Sequence, residues 1–107
     1  MLSLLLTLTL AAAPTEMTMS ATAFAQSGIT ASGIQAQPRI AAAETRILPL
    51  GTVIRVRGAG RYSGTYVVAD TGRTISGRQI DRYVRTPAEA HRFGRQKVRA
   101  RILRRPQ

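Results

Sequence analysis

Hydrophobic and polar positions alternate along much of this chain. In residues 16–25, Met17, Met19, Thr22 and Phe24 are interspersed with polar or small residues, which predicts a strand. After a loop marked by Gly28, Gly33 and Pro38, Leu48-Pro49-Leu50-Gly51 leads into residues 52–57, where Ile54 and Val56 flank a solvent-facing Arg55. Gly58-Ala59-Gly60 signals a tight turn before a β-branched run, residues 65–69, closed by Asp70. Another alternating run covers residues 79–84. In the last, Val98, Ala100 and Ile102 alternate with Arg99, Arg101 and Leu103, giving a strand with one basic face. No element is read between Pro38 and Leu48.

One helix interrupts the strands. Thr86 is placed as its N-cap, Pro87 suits the first helical position and Glu89 completes a capping box. Gly94 ends it with a residue that tolerates positive φ. His91 reads as a solvated residue of this helix. Five or six short strands with one small helix, and no internal repeat, predict a mainly β fold built as a compact barrel with crossing connections.

Composition narrows the chemistry. With 107 residues the chain supports one domain and a modest core. It has no cysteine, so neither a disulfide nor a thiolate nucleophile is available. Closing the sheet on itself is an economical way for such a chain to protect its strand edges. A single histidine and five acidic residues make no zinc or calcium cluster, so no metal is expected. No Gly-rich phosphate loop is present, which argues against a nucleotide-dependent enzyme and leaves no cofactor to expect.

Charge points to a partner. Residues 1–38 carry one ionisable side chain, Glu16, and every Lys and Arg lies from Arg39 onward. That later segment carries sixteen positive against four negative charges, a net of +12. Such a surface suits an anionic polymer, whether nucleic acid, a membrane face or an acidic component of the cell envelope. Simple solubility is the plainer explanation. Arg95, Lys97, Arg99, Arg101, Arg104 and Arg105 form the densest cluster. Only five aromatic residues are present and none is tryptophan, which disfavours a single-strand nucleic-acid binder.

The first thirteen residues suggest a compartment. Residues 1–10 are apolar apart from Ser3, Thr7 and Thr9, and run into Ala11-Ala12-Ala13. A short apolar core followed by small residues reads as a secretory signal, too short for a transmembrane anchor. The missing basic residue at the start and Pro14 after the small residues depart from the usual pattern. The expected organisation is therefore a signal over residues 1–13, a single domain over 14–107, and export to the periplasm or the extracellular wall.

Two of the scarce acids stand eleven residues apart, Asp70 closing one predicted strand and Asp81 within the next. Gly72 and Gly77 punctuate the loop between them. In so basic a chain an aspartate is either a partner of arginines such as Arg73, Arg78 and Arg82 or a group that does chemistry. Spacing alone leaves both open.

The order Ala21-Thr22-Ala23-Phe24, Thr30-Ala31-Ser32-Gly33, Leu48-Pro49-Leu50-Gly51-Thr52, Asp70-Thr71-Gly72, Ile80-Asp81 and Phe93-Gly94-Arg95 resembles the three-aspartate (3D) domain family. The resemblance runs from about Met17 to Leu103. It implies a six-stranded double-psi β-barrel with one short helix, as in membrane-bound lytic transglycosylase A and small stand-alone cell-wall proteins. The barrel of rare lipoprotein A and the expansins shares the TASG and LPLGT elements, while DTG and FGR favour the 3D branch.

Carried over by position, the resemblance makes Asp81 the catalytic acid and Asp70 the second site carboxylate. The family's first aspartate is Glu44 here. Thr30, Ser32, Thr71, Gly72 and Arg73 fall in the substrate groove, with Arg73 replacing a glycine and Phe24 a common tyrosine. The implied partner is the peptidoglycan glycan strand, and the implied reaction is that of a lytic transglycosylase. In it the muramoyl 6-hydroxyl attacks its own anomeric carbon, so one carboxyl serves first as acid and then as base. A hydrolase would want two carboxylates set across the sugar. Asp81 then needs a raised pKa, for which burial or the nearby charge of Asp70 are the available causes. Strand alternation turns Ile80 and Arg82 away from it. The alternative is a non-catalytic, expansin-like wall-binding module using the same groove, favoured by the changes at Arg73 and Glu44.

Overall fold

The computed structural model describes residues 16–72 and 77–106. The expected signal over residues 1–13 lies outside the described residues, as does Arg73. Six strands close a barrel in the order β1-β5-β2-β4-β3-β6, with one helix between β5 and β6. The strands are β1 Glu16–Phe24, β2 Ile40–Ala43, β3 Val53–Arg57, β4 Gly64–Asp70, β5 Gln79–Tyr83 and β6 Gln96–Arg104. β1 pairs in parallel with β5, and β2 with β4, while the other four pairings are antiparallel. Parallel neighbours joined by long crossings are what the expected double-psi barrel requires. Among the described residues, no helix is long and apolar enough to cross a membrane.

The alternation read from the sequence decides which side chains face inward. Ile54 and Val56 of β3, Val98 and Ala100 of β6, and Ile80 of β5 are buried in one core with Met19, Leu48, Tyr66 and Phe93. Strand β2 is the correction to the sequence analysis, which left this stretch unassigned. All four of its residues are buried, so Ile40-Ala41-Ala42-Ala43 has no polar face and shows no alternation. Small residues are needed here because β2 is covered on both sides.

The helix α1 runs Pro87–Phe93, as its caps predict. Thr86 Oγ1 accepts from the Glu89 N–H at 3.1 Å. The Glu89 carboxylate takes the Arg85 N–H rather than that of Thr86, and also accepts from Tyr62 Oη at 2.7 Å. Tyr62 packs edge-on against Phe93 at 5.2 Å, which fastens the helix to the barrel. His91 is exposed, as expected.

Strand β4 carries one irregularity that matters. Its register with β2 steps from Ala41↔Val68 to Ala42↔Asp70, so Ala69 is an extra, bulged residue. With unbroken alternation Asp70 would follow Tyr66 and Val68 into the barrel. The bulge turns it outward instead.

Candidate functional site

Ala42 of β2 pairs with Asp81 on one side and Asp70 on the other, and Asp81 pairs with Thr22 of β1. Thr22, Asp81, Ala42 and Asp70 therefore form one row across four adjacent strands, on the outside of the barrel. The two aspartates are two strand spacings apart, about 10 Å between backbones. Ala42 lies between them and is itself buried, 4% exposed.

Asp81 is half-buried and accepts a hydrogen bond on Oδ1 from Thr22 Oγ1 at 3.0 Å. Burial raises its pKa above the ordinary aspartate value, and the Thr22 hydroxyl opposes that rise. The charge of Asp70 is not among the causes, which corrects the expectation that repulsion between the two carboxylates raises Asp81. Arg82, its neighbour in sequence, points into the barrel and is 7% exposed. Among the described residues neither aspartate is in an ion pair; the pairs present join Arg46 to Glu44, Arg57 to Glu16 and Arg61 to Glu89.

Asp70 is committed to the backbone. Its Oδ1 accepts from the N–H groups of Ala31 and Thr71, each at 2.9 Å. The first bond, with the Ser32 N–H donating to the Ala69 carbonyl at 3.0 Å, fastens the Thr30–Gly33 turn to the bulged end of β4. Thr30 is buried, and its Oγ1 donates to the Ile34 carbonyl at 2.7 Å while standing 3.0 Å from Ser32 Oγ. With its one proton used, it accepts from Ser32. Thr30 thus holds the turn together, whereas Ser32 and Thr71 are exposed and Gly72 is partly so. Ile29, on the same loop, is 72% exposed.

Glu44 does a similar task at the other end of the loop that follows Asp70. Its Oε1 accepts from the Gly77 N–H at 2.8 Å, and its Oε2 lies 3.3 Å from an Arg46 guanidinium nitrogen. The Gly77 bond, and then Arg46, hold its pKa below the usual glutamate value against some desolvation. Asp70 and Glu44 together anchor the entry and exit of the segment between β4 and β5. Of the candidate carboxylates, only Asp81 is left without a backbone partner among the described residues.

Two residues farther along each strand, Phe24 and Tyr83 pair edge-on at 5.7 Å, partly exposed on the same side as Asp81. An aromatic pair beside an acid offers a face for a sugar ring. Tyr83 was missed in the sequence analysis. Its signal was available, since it stands at i+2 from Asp81 and so shares its face.

The large concavities lie elsewhere. One of about 340 Å³ is lined by Thr18, Arg57, Gly58, Lys97, Val98 and Arg99. One of about 250 Å³ is lined by Glu16, Arg55, Arg57 and Arg101. Register places Arg55 opposite Arg101 and Arg57 opposite Arg99 on β3 and β6. Like charges placed directly across a strand pair are unfavourable, and here only Glu16 relieves them, through two bonds from Arg57 at 2.7 and 2.9 Å. Asp81 lies on the outer face of the barrel and lines none of these concavities, and part of the neighbouring loop is outside the described residues.

The barrel is closed and six-stranded, with a half-buried acid on its outer face that is in no ion pair among the described residues. Its family model is that of the 3D domain, which matches residues 39–104, more than half of the chain, and the chain belongs to that family. It is 32% identical over 97 residues to the "cell wall-binding protein YocH" of Bacillus subtilis, covering 82% of this chain and 32% of that protein. It is 33% identical over 96 residues to the "putative cell wall shaping protein YabE" of the same organism, covering 81% of this chain and 23% of the relative. The chain thus spans a third or less of the length of these curated relatives. Among solved structures the barrel is similar to Escherichia coli MltA, a lytic transglycosylase (TM-score 0.61, 24% identity, 74% of this chain and 28% of that one). It is similar also to an expansin of Clavibacter michiganensis (TM-score 0.63, 19% identity, 87% of this chain and 52% of that one). At these identities the structures speak to the fold. The family match begins at Arg39, so strand β1 and Thr22 lie outside it. The printed names of both curated relatives refer to the cell wall.

Proposed function

We propose that this protein is an exported peptidoglycan lytic transglycosylase that cleaves between N-acetylmuramic acid and N-acetylglucosamine and leaves 1,6-anhydro ends. The observation that carries this is Asp81: a half-buried carboxyl with a raised pKa, one hydroxyl partner and no ion pair among the described residues, in a chain of net charge +11. Burial favours its protonated form, as an acid toward the leaving glycosidic oxygen requires. Once it has given that proton up, the same carboxylate takes the proton of the muramoyl 6-hydroxyl as that oxygen closes on the anomeric carbon. One carboxyl suffices, which fits a site where Asp70 and Glu44 are occupied with backbone N–H groups. Ser32, Thr71 and Gly72, with Arg73 by its place in the family pattern alone, are assigned as substrate contacts, Phe24 and Tyr83 provide an aromatic face, and Thr30 supports the turn. The arginine-rich β3–β6–β1 face adsorbs the domain to acidic envelope polymers.

A second role is favoured by a specific observation. Asp70 and Glu44 serve the loop rather than the groove, and the barrel is similar to an expansin. A non-catalytic wall-binding module would keep that architecture. Digestion of purified sacculi by the chain, beside Asp81→Asn, separates the two. Anhydromuropeptides that disappear in the variant support the enzyme. Co-sedimentation of both proteins with sacculi, without release of fragments by either, leaves the binding module.

A further inference from the structure

Arg82 is the most anomalous residue in the molecule. It is 7% exposed and projects into a barrel lined by alanine, valine, isoleucine and aromatic rings. Its guanidinium lies over the Tyr62 ring at 4.1 Å, with the Tyr66 and Phe93 rings at 5.3 and 5.7 Å, and its Nε donates to Tyr66 Oη at 2.7 Å. The rings offer partial compensation for a buried cation. No carboxylate is within ion-pair distance among the described residues, and its Nη1 is buried without a hydrogen-bond partner. A buried donor left unmade calls for an explanation.

The interior supplies none. The void on that side is about 10 Å³, bordered chiefly by Ala21, Val56, Ala59, Ile80 and Phe93, which give a water almost nothing to bond. On the other side Arg82 borders an open cleft of about 230 Å³, shared with Arg39, Arg61, Tyr83, Arg85 and Glu89. Four arginines line it with one carboxylate, Glu89, which already accepts from Tyr62 and from the Arg85 N–H and lies 3.9 Å from Arg61. Arg39 is tethered to the carbonyls of Tyr62 and Ser63 at 3.4 and 3.3 Å, which fixes one wall. The Arg85 side chain makes no hydrogen bond or ion pair among the described residues. Tyr83 belongs both to this cleft and to the aromatic pair beside Asp81.

We propose that this cleft is an anion subsite, sharing Tyr83 with the face that carries Asp81, that takes a carboxylate of the peptide stem carried by the glycan. The inference rests on the proposed wall substrate, and it makes the preferred substrate a stem-bearing strand rather than a bare sugar chain. Several arginines lining one cleft suit a planar carboxylate better than a neutral amide. Arg82, held by the rings at the wall of the cleft, adds its positive charge there.

The test is an NMR titration of the 15N-labelled chain with N-acetyl-D-alanyl-D-alanine and with its C-terminal amide. The free acid is expected to shift the Arg82 Nε–H and Tyr83 signals, and the amide to leave them in place. Arg61 and Arg85 are exposed, so the R61A/R85A variant is expected to fold, with its other amide signals unmoved, and to bind the acid at least ~10-fold more weakly. Equal binding of acid and amide, or unchanged binding by that variant, overturns the proposal, as does the absence of any shift. The titration reads occupancy without cleavage. Sacculi left uncut by the parent chain would therefore refute the enzyme and leave this subsite standing, whereas an empty cleft in a chain that cuts sacculi would remove the subsite alone.

Discussion

Thr22 donates its hydroxyl to Asp81 Oδ1 at 3.0 Å, across the parallel pairing of β1 and β5. The two residues are 59 positions apart in the chain. This bond is the one specific interaction that favours the charged form of Asp81, and burial is what opposes it. The balance between them sets how readily the carboxyl gives up and regains a proton.

Removing the opposition should therefore be visible. In Thr22→Val the lost hydrogen bond leaves burial unopposed, and the Asp81 pKa is expected to rise above that of the parent. A 13C-detected carboxyl titration checks this, and the limb of the pH–rate profile that reports Asp81 should move to higher pH with it. An unmoved titration would mean that Thr22 does not act on the acid.

Asp81→Asn carries two expectations. Release of anhydromuropeptides should fall by ~10²–10⁴-fold, the range for loss of a general acid–base. Stability should respond to pH with a definite sign. The folded-state pKa of Asp81 is raised, so between the ordinary aspartate value and the folded value the native state holds more protons than the unfolded state. Parent stability therefore falls as pH rises through that window. Asparagine can still accept from Thr22 but never charges, so the variant should gain on the parent at neutral pH and lose that advantage below the ordinary aspartate pKa. Urea midpoints at several pH values measure it.

Glu44→Ala frees the Gly77 N–H. The barrel core does not include Glu44, so the fold should persist while the loop before β5 loses its exit anchor. Faster hydrogen exchange at Gly77 and a roughly 10-fold loss of turnover are expected, in keeping with catalysis that depends on positioning. Glu44→Gln keeps an acceptor and should recover most of both.

On the basic face, R55T/R101T removes two cations that oppose each other across β3 and β6. Relief of that repulsion is worth about 0.2–1 kcal/mol, so the melting temperature should hold or rise slightly. Adsorption to sacculi in moderate salt should weaken. If adsorption is unchanged, the excess charge serves solubility alone.

Local order in this protein is written in the sequence. Alternating residues in β3, β5 and β6 fixed which side chains face inward, and Thr86, Pro87, Glu89 and Gly94 bounded the helix, because strand faces and helix ends are set by neighbours along the chain. The confinement of every cation to residues after Pro38 could be read directly, whereas Asp81 was set apart from Asp70 only by the family resemblance. Only the tertiary structure decided the rest. Strand β2 became visible when its two faces were covered, since a fully buried strand has no alternation to show. Closure of the barrel set Thr22, Asp81, Ala42 and Asp70 in one row, and a bulge at Ala69 turned Asp70 outward. The reach of Glu44 to Gly77 and the entry of Arg82 among Tyr62, Tyr66 and Phe93 likewise depend on registers between distant strands. Those registers are chosen by closing the sheet as a whole, and no short stretch of sequence contains them.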